Sequence, residues 1–343
     1  MDTVTHALAG YVVAKTGLTG DTGKWGVAAG VLASVFPDVD GLLEPFFGTE
    51  FTLMYHRGIT NSLFLVVPFS LFFAWLFKKI SGKNRYWTFF LIWLVEILVH
   101  TFLDLLTSYG TMILSPLSWE RFTLDWVFII DLFLTGVFLL SLLAMQIWRN
   151  KSKMLARLSA ALATSYILLC AGNHFWALSL AKSYASEHEL KAKNIASLPQ
   201  PLSPFHWANY IVTTDTIHRG LVNLVGKYER AANSKSSLLS KVWARYQPTQ
   251  ELSYKSWHML DKSSWVKRAL VLEGVKTFFW FARFPVVKYE ASRNGRHRVT
   301  FFDLRFGGIQ GRRPFSYEVT FAPKGEIVFQ GFHHRDYSED GNE

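Results

Sequence analysis

The feature that most limits what this chain can become is a series of long apolar runs, at about 60–77, 86–109, 126–148 and 157–180, with histidines and carboxylates set at their ends. As a helix at 1.5 Å per residue, each run is roughly 27 Å or longer, close to the thickness of a hydrocarbon core of about 30 Å. Two weaker, glycine-interrupted runs, 3–17 and 25–36, read as short helices that span the bundle or re-enter it from one side. The expected fold is an α-helical polytopic membrane domain of about four to six membrane helices over residues 1–180. A smaller soluble α+β domain with an antiparallel sheet is expected to follow over 181–343.

Charge separates the two halves. Residues 1–180 carry 23 charged side chains, whereas 181–343 carry 24 Lys/Arg against 15 Asp/Glu and read as a water-facing sequence. The surplus of positive charge there suits anionic headgroups, although a solvated surface accounts for most of it. Nucleic acid is not an expected partner of an outward-facing domain. Cys170 is the single cysteine and lies in an apolar run, which excludes an intrachain disulfide and leaves packing as its role. No basic segment precedes the first apolar run, so no cleavable signal peptide is expected.

If all six segments cross, one set of loops collects Lys15, Lys24, Lys78, Lys79, Lys83, Arg85, Arg149, Lys151, Lys153 and Arg157, and the other short loops hold only Arg57 and Arg121. That bias puts the Lys-rich loops in the cytoplasm and both termini outside. The C-terminal domain is then extracytoplasmic, at a bacterial inner membrane.

An ionisable group at bilayer depth costs about 2.5–3.5 kcal/mol even on the lenient insertion scale, so several of them normally pair, bind a cation or line a wet cavity. Asp2/His6, Asp38-Val39-Asp40, His56-Arg57, His100/Asp104 and Asp125/Asp131 all fall on the same outer side of this topology. We read them as one metal site. His100 and Asp104, four residues apart, share a helix face, with Glu96 one turn deeper. In Phe36-Pro37-Asp38-Val39-Asp40-Gly41 the proline and glycine break regular helix and aim two carboxylates at neighbouring positions. Each cluster alone also has a plainer reading: an interhelical hydrogen bond for His100/Asp104, turn chemistry for Asp38/Asp40, a helix cap for Asp2.

Four ordered motifs, Asp2-Thr3-Val4-Thr5-His6-Ala7-Leu8-Ala9-Gly10, Phe36-Pro37-Asp38-Val39-Asp40, His56-Arg57-Gly58-Ile59-Thr60-Asn61-Ser62 and the run from His100 to Gly110, resemble those of the YdjM-like inner-membrane proteins. That family is described as membrane-bound, metal-dependent hydrolases, and the resemblance covers about residues 1–135. It implies metal contacts from His6, Asp38, Asp40, His56, His100 and Asp104. The chain departs from the pattern at Asn61, where the family commonly has a second histidine. An amide oxygen there can ligate a hard cation or orient a water, more weakly than imidazole.

A His and carboxylate set without cysteine favours Zn²⁺ or Mn²⁺, as one ion or two. Such a cation lowers the pKa of a bound water toward about 7. Arg57 suits a phosphate or carboxylate clamp, or equally an ion pair with Asp38, Asp40 or Glu44. Asp125 reads as the N-cap of the helix beginning at 126. Asp131, nearly two turns deeper, reads as support for a ligand histidine. His174 with Asn173 is a further outer-end candidate, more often an interhelical polar pair.

In the second half, Arg268–Glu273, Phe278–Phe284, Val286–Ala291, His297–Arg305 and Ser316–Phe321 read as strands, with a hairpin turning at Asn294-Gly295. Residues 181–199 read as an amphipathic helix or linker, and 216–260 as helical or irregular. The expected activity is metal-dependent hydrolysis at the outer interface, acting on a lipid or lipid-linked (phospho)ester, with membrane lipid as the surrounding partner. A metal-binding scaffold without catalysis is the alternative. A cation transporter fits less well, because few polar residues lie below Glu96 on a route to the cytoplasm.

Overall fold

Asp2 opens the first helix, α1 (Thr3–Val13), by accepting a hydrogen bond from the Thr5 amide, the ordinary N-cap role of a short acid. The computed structural model describes residues 1–226, 238–306 and 315–333. The chain divides into two units: Met1–Phe46, Tyr55–Phe175 and Leu198–His206 make the first, and Phe47–Met54, Trp176–Ser197 and Trp207–Glu343 the second.

In the first unit α1 runs on into a wider turn at Ala14–Leu18 and packs against α2 (Lys24–Val35). The crossing is very close. A Cβ on Gly10 would sit 2.4 Å from the Ser34 Cβ and 3.0 Å from the Gly30 carbonyl oxygen, so the approach needs glycine. Pro37, near the start of a tighter 3-10 stretch (Phe36–Leu43), ends α2, and α3 (Glu44–Tyr55), whose Phe47–Met54 part belongs to the second unit, follows with a kink at Gly48. Then come α4 (Val66–Ser81), closed by Gly82 in the left-handed conformation, and α5 (Tyr86–Leu105), which packs on α2 and α4. α6 (Leu132–Ile147) and α7 (Ser152–Glu187) complete the helical region.

Among the described residues, three helical stretches are long and apolar enough to cross a membrane: Lys24–Tyr55, Tyr86–Leu105 and Arg149–Glu187; Leu132–Ile147 is apolar but shorter. One apolar core joins Val12, Leu103, Phe138, Ile167 and Cys170, so the cysteine is packing, as its sequence context suggested. Another joins Ala29, Ala74, Phe89, Trp93 and Ile97, with Phe73 stacked on Trp93 at 4.0 Å between ring centres.

The expected helix start at 126 is wrong by six residues. The chain from 107 to 131 is not helical: its amides at Leu124, Trp126 and Val127 turn back onto the Leu105 and Leu106 carbonyls. Asp125, expected to be the cap, sits at φ 57°, and Asp131 caps α6 instead through the Leu134 amide.

The second unit is rich in strands. β1 (Asn194–Pro199), β2 (His206–Val212), β3 (Thr216–Asn223) and β4 (Gln247–Pro248) lie in that order in one sheet, with α8 (Leu238–Trp243) between β3 and β4 in sequence. β4 runs parallel to β3, and β5 (Lys255–His258) pairs antiparallel with β3. α9 (Ser264–Ala269) and α10 (Glu273–Phe281) precede a four-stranded antiparallel meander of β6 (Pro285–Ala291), β7 (His297–Asp303), β8 (Ser316–Phe321) and β9 (Ile327–His333). The β6–β7 hairpin turns at Asn294-Gly295, where Gly295 takes φ 75°, as that dipeptide predicts.

Three expectations fail here. The stretch 181–199 holds the end of α7 and then β1, and 216–260 contains β3, α8 and β5; positions 227–237 of it lie outside the described residues. Arg268–Glu273 and Phe278–Phe284, read as strands, form none: the first joins the end of α9 to the start of α10, and the second holds the end of α10 and the link to β6. The reason is spacing: Gly274, Val275, Phe278 and Phe281 are the buried residues of α10, a 3.6-residue stripe that packs on the meander and overrides the β preference of its aromatics.

Candidate metal centre

The centre is built on α5. His100 and Asp104, one turn apart on its buried face, bring His100 Nε2 to 3.3 Å from Asp104 Oδ2. His6, from α1, places its Nε2 3.2 Å from Asp104 Oδ1, and the His6 and His100 rings stack with centres 3.7 Å apart. One ligand atom from each of His6, His100 and Asp104 lies within 4.8 Å of the others, all buried.

The hydrogen bonds around His100 decide what this cluster can accept. Its Nδ1 is 2.6 Å from the Ser34 carbonyl oxygen of α2, an atom that only accepts, so Nδ1 carries the hydrogen. In the neutral ring Nε2 is then a bare lone pair. It faces a carboxylate oxygen, and neither His100 Nε2 nor Asp104 Oδ2 has a hydrogen-bond partner among the described residues. Two buried acceptors turned toward each other are reconciled by a cation between them, a proton or a metal ion, and a backbone carbonyl on the far nitrogen is one usual way a ligating imidazole is oriented. The residues present therefore fit a divalent metal ion.

Asp38 adjoins the cluster, with Oδ1 3.7 Å from His100 Nε2 and Oδ2 accepting from the Thr3 hydroxyl at 2.9 Å. Asp40 is engaged differently. Its Oδ1 is 2.7 Å from His56 Nδ1, and its Oδ2 accepts from the Arg57 amide and the Thr60 hydroxyl. The six residues taken from sequence as ligands thus divide into His6, His100 and Asp104 with Asp38 beside them, and a separate Asp40–His56 pair.

Among the described residues, Arg57 pairs with a carboxylate other than the three considered from sequence. Its guanidinium is buried, 3.0 Å from Asp104 Oδ1, and it donates to the Thr107 hydroxyl at 2.9 Å while its charge lies over the Tyr109 ring. The Met1 amino group also bonds Asp104 Oδ1. Local backbone explains how adjacent side chains reach different partners: Arg57 sits at φ 62°, which turns His56 to Asp40 and Arg57 to Asp104. Gly58 is obligatory beside it, since a Cβ there would lie 2.7 Å from the Tyr55 carbonyl oxygen.

Asn61 is buried and accepts from Thr101, the residue after His100. Asp131 holds the Leu134 amide and the Tyr166 hydroxyl, so among the described residues its carboxylate is engaged in capping a helix. Asn173 donates to the Pro204 carbonyl. Glu96, one turn deeper than His100, is fully buried, and neither of its carboxyl oxygens has a hydrogen-bond partner among the described residues. Sequence reasoning missed Ser34, Thr3 and Thr107. Ser34 acts through its carbonyl, which has no side-chain signature, while Thr3 lies within the motif that begins at Asp2 and could have been found there.

The family model of the YdjM inner membrane protein matches residues 1–177, which contain every residue of this cluster. The chain belongs to that family. No curated protein and no solved structure shows a significant match. Membership in the YdjM family and the apolar helices together fit a protein of the bacterial inner membrane.

Proposed function

We propose that the chain is a multi-pass, metal-dependent hydrolase of the inner membrane, acting at the outer interface on a lipid or lipid-linked (phospho)ester. The observation that carries the reading is the buried meeting of His100 Nε2 with Asp104 Oδ2, two acceptors aimed at one point. His6, His100 and Asp104 would hold the ion, Zn²⁺ or Mn²⁺ by their nitrogen and oxygen donors, with Asp38 the nearest further carboxylate. When bound, a divalent cation supplies Lewis acidity, which polarises an ester or phosphoryl oxygen and lowers the pKa of a water toward about 7.

The chain's own residues do the rest. Ser34 fixes the His100 tautomer, and Arg57 fixes the Asp104 carboxylate. His56 is partly exposed and gives its Nδ1 hydrogen to Asp40, which leaves Nε2 free to accept a proton. In hydrolysis that proton leaves the attacking water as its oxygen bonds to the ester phosphorus or carbon. It is then delivered to the departing alcohol oxygen as the ester bond breaks. Four to six membrane crossings with the Lys-rich loops in the cytoplasm, and an extracytoplasmic C-terminal domain, complete the topology.

A second reading, a metal-binding scaffold without catalysis, draws on the engagement of Asp104 Oδ1 by Arg57. Turnover separates the two. Detergent-purified protein assayed on a panel of lipid phosphoesters and carboxylic esters should release alcohol, lose activity with a chelator and regain it with Zn²⁺ or Mn²⁺. His56→Gln should lower kcat far more than metal content. Metal without turnover on any member supports the scaffold.

A further inference from the structure

A cavity of about 630 Å³ opens in the first unit beside the metal centre, walled by α2, α4 and α5. Its volume is that of a small-molecule site, about 300–1,000 Å³ in general. The walls are Leu32, Phe73, Leu76, Trp93 and similar apolar side chains; among the described residues the only carboxylate and the only hydroxyl lining it are those of Asp38 and Thr3. These two are hydrogen-bonded to each other, and Asp38 is also the carboxylate 3.7 Å from His100 Nε2. The groove is therefore apolar along its length and polar only where it meets the metal cluster.

Its length has a natural measure. On α2 the lining runs from Trp25 to Val35, about 15 Å at 1.5 Å per residue, which equals half of a hydrocarbon core of about 30 Å. A hydrocarbon chain reaching from the headgroup level into one leaflet has that extent. We propose that this groove holds one acyl chain of the lipid substrate, with the scissile ester brought to Asp38 and His100 at its polar end. The proposal rests on the reading that the cluster hydrolyses a lipid ester, and it names the part of the substrate that is recognised. Continuity with the cluster sets the groove apart from ordinary lipid contact on α6 and α7, whose exposed Leu140 and Leu168 lie on helices that do not line it.

The test uses the full chain in nanodiscs with a diacyl phospholipid that carries a diazirine at the end of one acyl chain. After illumination, adducts should concentrate on peptides holding Leu32, Phe73 and Leu76. Ala28→Trp or Leu32→Trp, which fill the groove, should remove most of that adduct while bound metal stays at the wild-type level. The wild-type map decides the matter if either variant folds poorly. Adducts spread evenly over α4, α6 and α7, or a groove adduct that survives both substitutions, overturn the proposal. A groove adduct in a protein that hydrolyses no ester supports lipid binding here and removes only the hydrolase reading.

Discussion

His100 Nε2 lies 3.3 Å from Asp104 Oδ2 across one turn of α5, while the far nitrogen of the same ring is held at 2.6 Å by the Ser34 carbonyl. The relationship makes the centre depend on α2 as well as α5, because the helix that orients the imidazole is not the one that carries it. Whatever displaces the Ser34 carbonyl should loosen metal binding without touching a ligand.

Gly10→Val is the direct case. Its side chain would enter the space of Ser34 and the Gly30 carbonyl, and overpacking of this kind costs about 1–3 kcal/mol. The expected result is a lower thermal midpoint in detergent together with weaker metal affinity, measured on the same sample.

Arg57→Ala leaves Asp104 buried without its guanidinium partner. Removing one member of a buried pair costs about 3–5 kcal/mol, so the variant should be strongly destabilised, and Asp104→Asn in the same chain should recover part of the loss. Additive losses in the double variant would show that the two residues do not act together.

The α10 assignment separates cleanly from the strand expected from composition. In a strand Phe278 and Trp280 share a face; in α10 Phe278 is buried and Trp280 is exposed. Phe278→Ala should cost about 3–5 kcal/mol as a core truncation, and Trp280→Ala far less, read from chemical unfolding.

His206, at the start of β2, gives the protein a pH dependence of its own. Burial pushes its pKa from 6.5 down to about 4, so between those values the unfolded chain binds a proton that the folded chain does not. Stability from this group is complete above pH 6.5 and falls as pH drops toward 4. His206→Gln should flatten the thermal midpoint across pH 4 to 7.

What the sequence revealed follows the range of the signal. The i, i+4 spacing of His100 and Asp104 and the Asn294-Gly295 turn are local patterns, and both are where they were read. The Arg57–Asp104 pair joins positions 47 apart, so a nearer carboxylate looked the better partner. α10 was misread because bulky aromatics favour strands in isolation, and only the meander beneath shows which of them are buried. The Asp125/Asp131 exchange arose because an apolar run marks where a helix is affordable to lipid, not where its backbone begins.

The central claim is that His6, His100 and Asp104 together hold a divalent cation. Metal content by mass spectrometry, on full-length protein purified in detergent and dialysed against trace Zn²⁺ and Mn²⁺, tests it most directly. Wild type should retain a stoichiometric ion that His100→Ala and His6→Ala each lose, with α-helical circular dichroism unchanged. Metal retained in both folded variants, or a wild type that takes up none, would contradict it.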